Sequence, residues 1–243
     1  MVITSRSNPL VKRLASLKEK KYRREYGEFL IEGVKPVREC FSSSLRISLL
    51  VVSESYRGER FGAEAAVVSD DVFAYLSDEK TPQGILAAVE IPKTQLSKPQ
   101  ERSLLLDGVS DPGNMGTIIR TANAAGYTDL YLAGCTDPYA PKSVRASMSG
   151  IYFVRLHIAE KSEILHILEG IPLISADMDG ENIFTFTPPE KFCLVIGNEA
   201  NGISEEVMKK SEYCIRIPMR DTAESLNAGV SAGIAMYILS NQK

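Results

Sequence analysis

The sequence predicts an α/β protein: a mostly parallel sheet with helices on both faces, preceded by a smaller α/β domain. Three observations predict it. From residue 104 onward, short apolar runs alternate with helical patterns. Those runs end repeatedly in bends that carry glycine and asparagine. A polar, proline-bounded and unpatterned stretch, 92–100, separates this region from what precedes it. Strand–helix alternation with near-continuous apolar strands is the pattern of a parallel sheet buried on both faces. The expected organisation is therefore a first domain over 1–92, a linker over 93–101 and a second domain over 102–243.

The elements follow in order. Asn8-Pro9 is a cap followed by a first-turn proline, so a helix is expected from there to about Lys18. A second helix is expected over 35–41, short buried strands over 47–52 and 65–68, a helix from Asp70 through Leu76 and a strand over 85–91. In the second half, strands are expected at 104–107, 129–132, 153–158, 173–176, 192–196 and 214–217. Helices are expected at 115–125, 143–148, 162–168, 204–210 and 224–239. The last helix carries an apolar stripe at Leu226, Val230, Ile234 and Ile238, expected to be core. Ala228, Gly229, Ala232, Gly233 and Ala235 form a small-residue face open to close approach by another helix.

Composition narrows the function classes. In 243 residues, 44% hydrophobic and 24% charged, no apolar run approaches the roughly 20 residues that span a bilayer. The start, Met1 to Arg6, lacks the apolar core of a signal peptide. Four scattered cysteines without a C-x-x-C pair, and only His157 and His166, suggest neither disulfides nor a metal site; a reducing cytoplasm is the natural location. The net charge of -3 hides an asymmetry, because residues 1–38 hold ten Lys or Arg against four Glu. With Tyr22 and Tyr26 interleaved, that end suits a polyanion, or else is a solvated helix face.

Three bends could carry chemistry. The first runs from Asp107 to Ala122: strand, then Gly108, Gly113 and Gly116, then a helix that Asn114 is placed to cap, with Arg120 nearly two turns in. The second is Gly197-Asn198-Glu199-Ala200-Asn201-Gly202, and the third Ile217-Pro218-Met219 with Ser225-Leu226-Asn227. Each asparagine alone could merely cap a helix or fix a turn, and Arg120 alone could be a surface cation. Their order and recurrence favour a site. The fingerprint G-x-G-x-x-G is absent, as is any G-K-S/T phosphate loop, which disfavours a dinucleotide oxidoreductase. With two histidines outside the bends, no Ser/His/Asp set is credible.

Asn114-x-Gly116-x3-Arg120, Gly197-Asn198-Glu199-x2-Gly202 and Ile217-Pro218-Met219 with Ser225-Leu226-Asn227 resemble, in order, the three motifs of the SpoU (TrmH) branch of SPOUT RNA methyltransferases. Pro141-Lys142-Ser143-Val144-Arg145-Ala146-Ser147 resembles the segment between its first two motifs. Ser5 to Lys12, Phe29-Leu30-Ile31-Glu32-Gly33 and Thr81-Pro82-Gln83-Gly84-Ile85 resemble the ribosomal-protein-L30e-like RNA-binding domain fused to many members. Nearly the whole chain is covered. One departure is Ala228, where the family often has valine after Ser-Leu-Asn.

The resemblance implies S-adenosylmethionine-dependent methylation of a ribose 2′-hydroxyl in structured RNA, with rRNA favoured over tRNA. It also implies a homodimer through the C-terminal domain, no membrane and no metal. A trefoil knot in that domain is implied as well, against the general rarity of knots. Carried over, Gly197, Ile217 and Leu226 would contact the cofactor, with Met219 and Ser175 as neighbours. Arg120 would act on the substrate, either as base or, more in keeping with a guanidinium, as a phosphate clamp, with Asn114, Glu199 and Asn227 holding it in register. The rival expectation is a non-catalytic RNA-binding protein of the same fold, which would be expected to have lost Asn114, Arg120 or Asn227; all three are present.

Overall fold

A computed structural model describes residues 1–62, 64–220, 222 and 225–241. The first region runs β1 (Val2–Ile3), α1 (Pro9–Ser16), α2 (Lys20–Tyr26), β2 (Glu28–Glu32), α3 (Val34–Phe41), β3 (Ile47–Ser53), β4 (Ala65–Val68), α4 (Asp70–Leu76) and β5 (Ile85–Glu90). Asn8 caps α1 as its sequence predicts, its side chain accepting from the Leu10 amide at 2.9 Å. The five strands lie in the order β1-β4-β3-β5-β2, with β5 antiparallel to both neighbours and the other pairings parallel. Leu14 of α1 and Phe73 and Leu76 of α4 bury one face against Val51 and Leu86. Val37 and Cys40 of α3 join the other face, in a core continuous with that of the second region.

The second region runs β6 (Ser103–Asp107), α5 (Pro112–Ala125), β7 (Asp129–Ala133), α6 (Pro141–Ala146), a 3₁₀ turn (Gly150–Tyr152), β8 (Arg155–Ala159), α7 (Lys161–Ile167), β9 (Leu173–Asn182), β10 (Cys193–Ile196), α8 (Glu205–Met208), β11 (Tyr213–Arg216) and α9 (Ala228–Asn241). Its six strands lie in the order β11-β9-β10-β6-β7-β8, and every pairing is parallel. Alternate residues of β6 feed two cores. Leu104 and Leu106 pack with Ile118 of α5 and Met236 of α9, whereas Leu105 packs with Ile164 and Leu165 of α7. Helices on both faces explain why β6, β7 and β10 are buried throughout. The chain advances from β6 to β7 and β8 on one side and returns to fill β9, β10 and β11 on the other, so the order reverses between β6 and β10. Open α/β sheets bind ligands outside the carboxyl ends of the strands at such a reversal.

Several elements depart from expectation. The strands β1 and β2 and the helix α2 have no counterpart in the sequence reading. The second-half strands begin and end within about two residues of expectation, except β9, whose polar end, 177–182, pairs Glu181 and Asn182 with Ile215 and Arg216 of β11. The last helix begins at Ala228 among the described residues; its expected start, Glu224, lies outside them. The small-residue face packs inward, with Gly229 against Thr117 and Gly233 against Thr121 of α5. The apolar stripe divides: Ile238 packs against the core and Ile234 is half-buried, whereas Val230 is 48% exposed, as is Tyr237 outside the stripe. Among the described residues no helix is long and apolar enough to cross a membrane.

Candidate active site

The bends after β6 and β10 meet because their strands are neighbours. At the first, Asp111 rather than Asn114 caps α5: its side chain accepts from the Asn114 amide at 2.8 Å, and Pro112 takes the first helical position. The signal was legible, since Asp111-Pro112 repeats the cap-then-proline arrangement of Asn8-Pro9. Asn114 sits one turn in, and its side chain is left for tertiary use. Gly116 faces α6 so closely that a Cβ would stand 2.4 Å from the Ser143 carbonyl oxygen and 2.5 Å from the Ala146 Cβ.

The second bend folds onto the first. Asn198 and Gly202 exchange two backbone hydrogen bonds of 2.9 Å, closing the bend. A Cβ on Gly197 would come within 2.5 Å of the Gly202 backbone, so a side chain there is excluded. The Asn198 amide donates to the Gly108 carbonyl at 2.8 Å while its oxygen accepts from the amides of Ala200 and Asn201. Asp107, buried at the end of β6, accepts from the Ser204 amide at 2.8 Å and pairs with Lys161 at 2.7 Å. Burial alone would raise its pKa; those bonds hold it below the ordinary value.

Glu199 is the centre of the convergence. One carboxylate oxygen accepts from the Ser110 amide (3.1 Å) and hydroxyl (2.9 Å); the other accepts from the Asp111 amide (3.2 Å) and the Asn114 side-chain amide (2.9 Å). Desolvation pushes its pKa up, yet the bonds from Asn114 and Ser110 win and bring it down to about 2. The carboxylate then orders everything beyond it. It can only accept, so Asn114 must present its NH₂ to it and its oxygen outward. That oxygen accepts from the Asn227 side-chain amide at 2.8 Å. Asn227 is thereby left with its own oxygen toward α9, where it accepts from the amides of Gly229 (3.0 Å) and Val230 (3.2 Å). A single chain, Glu199–Asn114–Asn227, ties the three bends together.

The remaining candidates separate into two groups. Ile217, Met219 and Leu226 line a cavity of about 130 Å³ beside the middle of β9 and the end of β11, together with Ala176, Asp177 and Ser225. Ser175 does not line it: fully buried, its hydroxyl is 2.5 Å from that of Ser211, and Ala176 faces the cavity in its place. Gly197 stands at the second bend. Arg120 is exposed on α5, six residues and about 9 Å of helix axis beyond Asn114. Among the described residues no hydrogen bond or ion pair joins it to Asn114, Glu199 or Asn227. The reason is helical phase: six residues turn the side chain well away from Asn114. Instead its backbone lies against Gly150, where a Cβ would be 3.0 Å from the Arg120 Cα. Sequence reasoning missed Asp107, Ser110 and Asp111 as organisers of the site.

Residues 101–237 match the model of the SpoU rRNA methylase family, and residues 8–87 match that of an MRM3-like substrate-binding domain. The chain is 32% identical to the 23S rRNA (guanosine(2553)-2′-O)-methyltransferase RlmP of Bacillus subtilis, over 98% of both chains. It superposes with a TM-score of 0.88 on an AdoMet-bound rRNA methyltransferase from Sinorhizobium meliloti, at 27% identity over 98% of this chain and 97% of that one. It matches equally, at 0.88 and 26% identity over 97% and 98%, the SpoU methyltransferase AviRb from Streptomyces viridochromogenes in complex with AdoMet.

Proposed function

This chain belongs to the SpoU rRNA methylase family, and we propose on that footing that it transfers a methyl group from S-adenosylmethionine to a ribose 2′-hydroxyl of structured RNA. 23S rRNA is the favoured target, as in the RlmP relative, and tRNA the alternative. The observation that carries the reading is the Glu199–Asn114–Asn227 chain, which gathers three sequence-distant motifs beside an apolar cavity.

The residues present fit the cofactor. Ile217, Met219, Leu226 and Ala176 give apolar walls suited to a purine, and Asp177 and Arg216 place both signs of charge at its rim, suited to an amino-acid end. Gly197 keeps the second bend tight, and Ser175, bonded to Ser211 and next to Ala176, backs the wall from within the sheet. When bound, the cofactor supplies a methyl group already electrophilic enough to need no metal. The protein's part is to place the ribose oxygen and ease its proton away. Asn114, Glu199 and Asn227 fix the start of α5 and α9, so that α5 presents Arg120 as a fixed, exposed cation. A guanidinium remains protonated and donates in a fork, so Arg120 clamps a substrate phosphate and orients the hydroxyl.

The region over 1–92 serves as the RNA-capturing domain and 102–243 as the methyltransferase domain, joined through 93–101. The deep knot implied by the family is assigned to the second. The exposed Val230 and Tyr237 of α9, with Leu226 just before it, support a homodimer through that helix. The setting is the cytoplasm, where rRNA is assembled. Transfer of tritiated methyl from S-adenosylmethionine to rRNA tests the reading: wild-type protein labels it, and absence of label from both rRNA and tRNA overturns the reading.

A further inference from the structure

A groove of about 510 Å³ lies where α2, the residues after β5 and the loop after β7 meet. Its charges are unequal. Each carboxylate that lines it is already paired: Glu28 with Arg13 at 2.6 Å, Glu90 with Arg46 at 3.2 Å and Asp137 with the buried Arg23 at 2.7 Å. Lys20, Arg24 and Lys93 line it too, are exposed, and have no ion-pair partner among the described residues. Three unneutralised cations thus face one groove of a chain whose net charge is -3. Apolar surface is exposed beside them. Tyr26 is 41% exposed and Ile158 56%, and Tyr26 is braced by Tyr22, stacked at 6.3 Å, and by the Arg13 guanidinium 5.6 Å from its ring centre.

The groove also adjoins the site. The 135–139 loop forms one wall, and the same loop rests on the first bend: the Thr136 amide donates to the Val109 carbonyl at 2.9 Å, and the Cys135 thiol to the Leu106 carbonyl at 3.1 Å. One wall of the groove is thus anchored directly to the strand and bend that carry Asn114. Unpaired cations sharing a groove with an exposed ring suit a strand whose phosphates and base faces are both accessible. A duplex hides its base faces, and its recognition rests on shape and phosphates instead.

We infer that this groove holds an unpaired segment of the RNA strand that carries the methylated nucleotide. The inference rests on the RNA-methyltransferase reading for its partner. Lys20, Arg24 and Lys93 contact phosphates, and Tyr26 and Ile158 take a base between them.

Fluorescence anisotropy with a short oligouridylate and with an RNA duplex of equal length tests it. The full chain is expected to bind the single strand more tightly. The combined variant Lys20→Glu, Arg24→Glu, Lys93→Glu loses about tenfold or more in that affinity, and its slope of log affinity against log salt flattens by about 2, from about 0.7 per lost phosphate contact. Tyr26→Ala weakens single-strand binding without changing the slope. Charge reversals off the groove, Lys191→Glu with Lys210→Glu, leave it unchanged, and calorimetry with S-adenosylmethionine gives the wild-type affinity for every variant. Single-strand binding that is absent, no tighter than duplex binding, or unaffected by the groove variants overturns the inference. Groove-dependent binding without any methyl transfer would instead count against the proposed activity and leave the groove standing.

Discussion

Replacing Glu199 by Gln removes the group on which three bends converge, and the cost follows from donor counting. The carboxylate accepts four hydrogen bonds and donates none. An amide keeps one accepting oxygen and turns a donor toward either the Ser110 amide or the pair formed by the Asp111 and Asn114 amides. In either orientation at least one backbone N–H loses its partner. Flipping Asn114 to compensate would force Asn227 to turn and uncap α9. One or two lost bonds at about 1 kcal/mol net each give about 1–2 kcal/mol. The depressed pKa expresses the same bonds in another way. A fall from 4.5 to about 2 corresponds to at most about 3 kcal/mol, which screening at this largely exposed carboxyl reduces to roughly 1 kcal/mol. A loss of about 1–2 kcal/mol satisfies both.

The sign of the pH effect follows from the same shift. A carboxyl whose folded pKa is depressed stabilises the protein above its unfolded pKa, and that stabilisation fades as pH falls from about 4.5 toward about 2. Urea denaturation of wild-type protein and Glu199→Gln should therefore differ by the full amount near pH 7 and by clearly less near pH 3. Equal stabilities near pH 7, or a gap that persists unchanged into acid, would refute the donor-counting argument.

Arg120→Ala should abolish methyl transfer while leaving the urea midpoint and the calorimetric affinity for S-adenosylmethionine at wild-type values; near-wild-type turnover would show that the exposed guanidinium is not needed. Gly116→Ala should destabilise by about 1–3 kcal/mol, because its Cβ would sit 2.4 Å from a backbone oxygen of α6 that cannot yield, and an unchanged melting temperature would contradict that packing. Tyr237→Arg, on the outward face of α9, should convert a dimer into a monomer in analytical ultracentrifugation; a species of the same mass before and after would remove that face from the interface.

How far the fold could be read from the chain depended on how local its causes are. The second sheet was legible because its strands are apolar runs buried on both faces, as in Leu104–Leu105–Leu106, and its helices start at recognisable caps. The helix α2 was not, because KKYRREY lacks an apolar stripe and is held by Arg23 reaching Asp137, 114 residues away. The two-residue β1 has too little pattern to register. The polar end of β9 becomes a strand only because β11 is there to pair with it. At the site, motif order identified Asn114, Glu199 and Asn227 as candidates, but which atom meets which partner depends on two strands being neighbours. That is a property of the reversed sheet order. The outward turn of Val230 was likewise hidden, since either face of so apolar a helix could have been the core.

The most direct measurement is nuclease digestion and mass spectrometry of rRNA after incubation with the protein and isotopically labelled S-adenosylmethionine. The account predicts one nucleoside carrying the label on its ribose 2′-oxygen, and none with Arg120→Ala. Label on a base, or an unlabelled ribose pool with wild-type protein, would contradict it.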